Sequence, residues 1–199
     1  MFMDVVYKNG ITEKITLPDG ETTISDSAFW NCNSLMSITI PDGIKHIGER
    51  AFSGCSNLTN ITMPNSVMSI GAFAFEGCSS LTSIVLSDRI TEIAYYAFSG
   101  CSALVDIFLP NGLKKIRAAT FHGCSRLMSI AIPDSVNEIG YWAFANCSGL
   151  TNITIPDDVM TIGDSAFAGC SSLKSIAIPK NTKIIGFQAF RGIPTIVEK

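Results

Sequence analysis

The chain has 199 residues, 47% hydrophobic and 16% charged, which is enough length and apolar content for one folded domain with a sizeable core. Fourteen basic and seventeen acidic residues leave a net charge of −3 with neither sign gathered into a run, which excludes an electrostatic footprint for nucleic acid or an anionic membrane surface. No apolar run approaches membrane-spanning length, and the opening MFMDVVYKNG lacks the basic, apolar and small-residue regions of a signal peptide. The expectation is a soluble chain with no direct membrane insertion, whether whole, mature or excised from a longer protein, and its compartment stays open.

Along the chain, residues 1–11 read as an N-terminal cap, 12–192 as repeats and 193–199 as a C-terminal cap of a single domain spanning 1–199. The repeat is announced by the cysteines, all seven of which fall 23 residues apart: Cys32, Cys55, Cys78, Cys101, Cys124, Cys147 and Cys170. A residue required in every unit serves the architecture rather than one reactive site. Phenylalanine recurs at the same interval from Phe29 to Phe190, and leucine from Leu35 to Leu173.

Each unit opens with a short alternating segment such as Ile38-Thr39-Ile40, the pattern of a half-buried strand. Proline closes this strand at Pro18, Pro41, Pro64, Pro110, Pro133, Pro156 and Pro179, with Ser87 as the exception. Proline has no N–H for a sheet ladder, so it marks the strand's end, and the polar pair that follows favours a turn. A second alternating pair, Val67 and Ile70 or Val136 and Ile139, predicts another short extended piece, usually followed by glycine. Phe52, Cys55 and Leu58 then stand three apart, the spacing of one face of a tight helical or 3₁₀ turn. The residue before each cysteine is always Gly or Asn, the two types that tolerate the left-handed conformation ending such a turn. No unit can bury its own Phe, Cys, Leu and Ile, so the units must stack into a repeat solenoid of about eight 23-residue coils with short parallel strands.

Neighbouring cysteines in such a stack lie about 5 Å apart, within disulfide range, but their Cβ vectors run parallel and their number is odd. Buried free thiols acting as small apolar groups are the expectation. The acidic turn position reads Asp19, Asp42, Asn65, Asp88, Asn111, Asp134, Asp157 and Lys180, which is turn chemistry rather than a calcium ladder. His46 and His122 occupy different slots of different units and do not build a metal pair. No cofactor or metal is expected, and no unit is interrupted as an inserted active site would interrupt it, so the chain is read as non-enzymatic.

The pattern Leu-x-x-Ile-x-Ile-Pro-x-x-Val-x-x-Ile-Gly-x-x-Ala-Phe-x-x-Cys, carried by residues 12–195, resembles the leucine-rich repeats of the BspA-like, or Treponema pallidum, type. The ninth place after the first Leu holds Gly43, Ser66, Arg89, Gly112, Ser135, Asp158 and Asn181, so the asparagine ladder of the general leucine-rich pattern is absent, as in this subtype. The resemblance implies a right-handed leucine-rich-repeat solenoid and a protein-interaction module, adhesin-like or scaffold, of bacterial cell surfaces, without chemistry of its own. It does not name the protein partner.

Function then lies where the repeats differ. Residues flanking the buried Ile of the first strand point outward and are mostly small and uncharged, except around Phe108, with Asp106 beside it and Val85 and Ala131 as expected ladder neighbours. A large aromatic on a small, neutral face is an anchor for a protein partner. A second variable stripe, Phe73, Tyr96 and Trp142 with Tyr95 and Tyr141 adjacent, is spaced for packing between coils or for stacking on sugar rings. Carbohydrate binding by that stripe, or a purely structural spacer role, are the alternatives to a protein-binding strand face.

Overall fold

A computed structural model describes all 199 residues, Met1 to Lys199. The coils stack as expected, with two ladders of short strands and a closed arc between them. The first ladder takes strands such as Asn60–Thr62, Ser129–Ala131 and Asn152–Thr154, paired in parallel with buried isoleucines in register, Ile38 on Ile61 and Ile130 on Ile153. The second is built of two-residue strands, His46–Ile47 on Ser69–Ile70 and Glu138–Ile139 on Thr161–Ile162 among them. A single apolar cluster runs through the stack, with the six central phenylalanines, Phe52 to Phe167, fully buried.

The arc is not helical, and its hydrogen bonds say why. From Ala51 to Cys55, every second N–H bonds three residues back within the coil: Ala51 to Gly48, Ser53 to Arg50 and Cys55 to Phe52. The alternate ones, on Arg50, Phe52 and Gly54, go to the next coil's Ala72, Ala74 and Glu76. A 3₁₀ helix needs every N–H for itself. Here half of them are spent on stacking, and the chain is a run of linked turns with two left-handed residues per coil. One is the expected Gly or Asn slot, such as Gly54 at φ 76° or Asn146 at φ 60°. The other lies four residues earlier and holds no glycine at all: Ser27, Arg50, Phe73, Tyr96, Ala119, Trp142, Ser165 and Gln188, at φ between 51° and 58°.

The glycine after the second strand has a steric cause. A Cβ on Gly71 would lie 2.7 Å from the carbonyl carbon of Gly48, and one on Gly163 would lie 2.3 Å from the Tyr141 nitrogen. Ala94 and Arg117 break this rule. The ladder divides there into two four-stranded sheets, between Glu92–Ile93 and Lys115–Ile116. The bonds that carry the ladder across, Ala94 N–H to Ile70 and Gly140 N–H to Ile116, have no counterpart from Arg117 to Ile93. An Arg117 to Glu92 ion pair at 3.3 Å spans the gap instead.

The two ends differ. Strand Phe2–Tyr7 lies antiparallel between Thr12–Thr16 and Leu35–Thr39, and its Met3 and Val5 are buried over the first coil interior. At the other end Ile193 falls in the cysteine slot, buried and bonded through its N–H to Phe190. Ile196 stands 23 residues after Leu173, at the interval of the leucine slot, but pairs with Ile176, twenty residues back, because Pro194 and Thr195 lead straight into the strand Thr195–Glu198. The last coil is therefore three residues short, and Ile184, Ile185, Phe187, Ile196 and Val197 are exposed around it.

Candidate functional site

The interior supplies rigidity but no chemistry. Eight phenylalanines form one stacked column, with successive ring centroids 5.2 to 5.8 Å apart and planes within 16° of parallel. All seven cysteines are free, six of them buried. Each buried Sγ donates to a phenylalanine carbonyl of the preceding coil, Cys78 to Phe52 at 3.2 Å and Cys101 to Phe75 at 3.1 Å. That same Phe52 oxygen also accepts the Cys55 N–H, so both of its lone pairs are used. The thiol is thus a small apolar filler that also ties coil to coil, a role that its spacing alone does not disclose. Burial pushes the thiols of Cys55, Cys124 and Cys170 from 9.0 up to about 12, and raises Cys78, Cys101 and Cys147 as well, with neighbouring thiols as the second cause in those three. Groups in that state are protonated and inert at neutral pH.

No three His, Cys, Asp or Glu side chains converge to hold a metal ion. His46 Nδ1 meets Ser69 Oγ at 2.8 Å, and His122 Nε2 meets Asn146 Nδ2 at 3.3 Å, and neither histidine is in an ion pair with a carboxylate.

On the first strand face, Asp106 and Ile107 pair with Ser83 and Ile84, which sets Phe108 in line with Val85 one coil away. Both are 78% exposed, the highest values among the large apolar side chains. Asp106 and Ala131 are exposed beside them. Phe108 and Ala131 line a depression of about 260 Å³ together with Leu109, Asn111, Ile132, Pro133 and Asp134.

The aromatic stripe divides in two. Phe73 stacks on Tyr96 at 5.0 Å and 18°, takes the edge of Tyr95 at 5.3 Å, and carries the Arg50 guanidinium 4.5 Å above its centroid. Those groups largely satisfy one another. Trp142 stands apart, because Ala119 occupies the slot between it and Tyr96. Its one aromatic partner is Tyr141, edge to face at 5.7 Å and 78°, and the residue is 46% exposed. Beside it opens a cleft of about 310 Å³ whose lining includes His122, Asn146, Gln188 and Arg191, four residues that reading the stripe alone does not reach. Their signal is in the columns: Arg191 shares a slot with His122, Ala145 and Ala168, and Gln188 with Trp142 and Ser165.

Residues 3–124 and 91–198 match the BspA type Leucine rich repeat region, in six copies. Among solved structures, the T. pallidum Leucine Rich Repeat protein is 32% identical over 80% of this chain and 75% of its own, with a TM-score of 0.74. A leucine-rich repeat protein from Eubacterium ventriosum is 25% identical with a TM-score of 0.70, and this chain spans half of its length. A leucine rich cell surface protein from Faecalibacterium prausnitzii is 28% identical with a TM-score of 0.55, over 88% of this chain and 62% of that one. No curated protein matches the sequence. With the family pattern spanning nearly all 199 residues on a stack of 23-residue coils, the chain belongs to the BspA-type leucine-rich repeat family.

Proposed function

We propose that this chain is a non-enzymatic protein-interaction module that binds its partner through the first strand face, around Phe108. The carrying observation is the adjacency of Phe108 and Val85, two side chains exposed to 78% on a face set, Asp106 apart, with small uncharged residues. Apolar side chains held outward one residue beyond the paired strands Ser83–Ile84 and Asp106–Ile107 bury their area on binding with little backbone to order, which is how a few anchors come to dominate an interface. Asp106 and Asp134 at the margin supply charge for partner choice. The setting is adhesion or scaffolding at a cell surface, in keeping with the surface protein among the structural relatives. Capture from cell-surface and extracellular-matrix extracts, with wild type compared against Phe108→Asp, tests this. A partner retained by wild type and lost by the mutant at unchanged thermal stability is the expected result. Equal retention by both proteins overturns the assignment.

A further inference from the structure

The cleft beside Trp142 shares no residue with the Phe108 surface. It follows from three consecutive occupants of the left-handed slot. Trp142 and Gln188 stand two coils apart, about 9.5 Å at one strand spacing per coil, and between them is Ser165, too small to fill the gap. Three residues further along the arc the same thing recurs, with Ala145 and Ala168 as floor and Arg191 as wall. One side is thus the flat indole, backed edge-on by Tyr141, and the other is a primary amide and a guanidinium. A gap of that width accepts one puckered ring at van der Waals distance from an aromatic plane, with room for hydroxyls on its far side.

The polar groups narrow the ligand class. Asn146 sits where six of the other seven coils place glycine, Asn31 being the exception, so its amide is an addition to the repeat rather than a requirement of it. Its Nδ2 lies 3.3 Å from His122 Nε2 and its Oδ1 is packed toward Gly169, which fixes its orientation at the cleft wall. With Tyr96, Ser165 and Gln188, these give five neutral or titratable hydrogen-bonding side chains around one small opening. None of the nine lining residues is acidic. Arg191 forms none of the chain's four ion pairs, and the nearby Asp164 carboxylate is turned to the Phe187 N–H at 2.7 Å. An aromatic platform, many hydrogen-bonding groups and one unpaired guanidinium in a chain of net charge −3 are the complement of a hydroxylated ring bearing a carboxylate.

We propose that this cleft binds an acidic pyranose, a hexuronic or sialic acid unit, with its ring face on Trp142, its hydroxyls on Asn146 and Gln188, and its carboxylate on Arg191. This is independent of the strand-face reading and moves the sugar site away from the self-satisfied Phe73–Tyr96 stack. The test follows the two indole N–H resonances of the labelled chain, since Trp30, 58% exposed and in the first coil, is a built-in control. Methyl glucuronide, methyl N-acetylneuraminide and the neutral methyl glucoside are titrated separately. At least one acidic sugar is expected to shift the Trp142 signal saturably, at a Kd at least fivefold below that of the glucoside, while Trp30 stays unmoved. The two acidic arms tell which acid the cleft prefers. Trp142→Ser and Asn146→Gly place at each slot a residue that other coils already carry, so folding is preserved. Trp142→Ser, followed by the Tyr141 ring protons, and Asn146→Gly are each expected to weaken binding at least tenfold, and Arg191→Ala to bring the acidic and neutral sugars to equal affinity. Equal binding of acidic and neutral sugars by wild type, parallel shifts of both tryptophans, or no shift with any sugar overturns the proposal.

Discussion

Phe98 and Tyr96 are two residues apart in one coil and obey the same 23-residue interval, yet their surroundings differ in kind. Phe98 has Phe75 and Phe121 stacked on its two faces at 5.3 and 5.7 Å, and no coil departs from phenylalanine at its slot. Tyr96 has Phe73 on one side and Ala119 on the other, in a slot that holds seven different residue types over eight coils. Inside, repetition is enforced because each residue packs on its own copies. Outside, the backbone repeats while the side chain is free, so surface chemistry can change from coil to coil at little cost to the stack. The strand-face patch and the Trp142 cleft are both built from that freedom.

The sharpest way to break the interior is alkali. The folded thiols titrate above their unfolded counterparts because burial disfavours the thiolate, so unfolded chains lose protons first as pH rises. Below about pH 9 the stabilisation is fully present. Above it each buried thiol removes about 1.4 kcal/mol per pH unit until its folded pKa, about 12 for Cys55, Cys124 and Cys170, is passed. Six such groups acting together give a steep alkaline unfolding just above pH 9, measurable by circular dichroism under reducing conditions. Replacing Cys101 and Cys124 by Ala should make the fall visibly shallower, and an unchanged slope would show that the thiols do not drive it. Next in size is Phe98→Ala, which opens the column at its centre and should cost about 3–5 kcal/mol by urea unfolding, against near zero for Phe108→Asp on the surface.

That contrast also explains what could be read from the chain beforehand. Phe, Cys and Leu at constant interval, with a proline closing each strand, determine a stack because no single unit can bury them. Two features resist such reading. The spacing of three in Phe52, Cys55 and Leu58 marks one face of a turn but is silent on which coil receives the N–H groups, so the arc looks helical in sequence. The left-handed slot carries no glycine to betray it, since the inter-coil bonds on either side hold Arg50 or Trp142 at positive φ whatever their preference. The sheet division was legible in principle, as two consecutive departures from the Ile-Gly step, Ala94 and then the bulky Arg117. The cleft needed the slots to be aligned down the stack, since Trp142 and Arg191 are 49 positions apart in sequence and face one gap only after folding.

The smallest prediction concerns that left-handed slot and separates its backbone from its side chains. A left-handed L-residue is disfavoured by roughly 1–2 kcal/mol, part of which glycine returns as greater unfolded-state entropy. Ser165 is at φ 53° with its N–H bonded to Phe187, and its hydroxyl makes no hydrogen bond. Ser165→Gly therefore relieves backbone strain with nothing lost, and should raise stability by about 0.5–1 kcal/mol. Phe73→Gly relieves the same strain but removes the stack on Tyr96 and the seat of Arg50, contacts worth about 0.5–1.5 and 0.5–1 kcal/mol, together with the burial of the ring. It should lower stability by about 1–2 kcal/mol. Opposite signs at two positions of identical φ would show that the fold sets the conformation of this slot while each side chain decides what it is worth. The same sign at both would mean that the slot carries no strain, or that the Phe73 stack contributes nothing to holding the coils together.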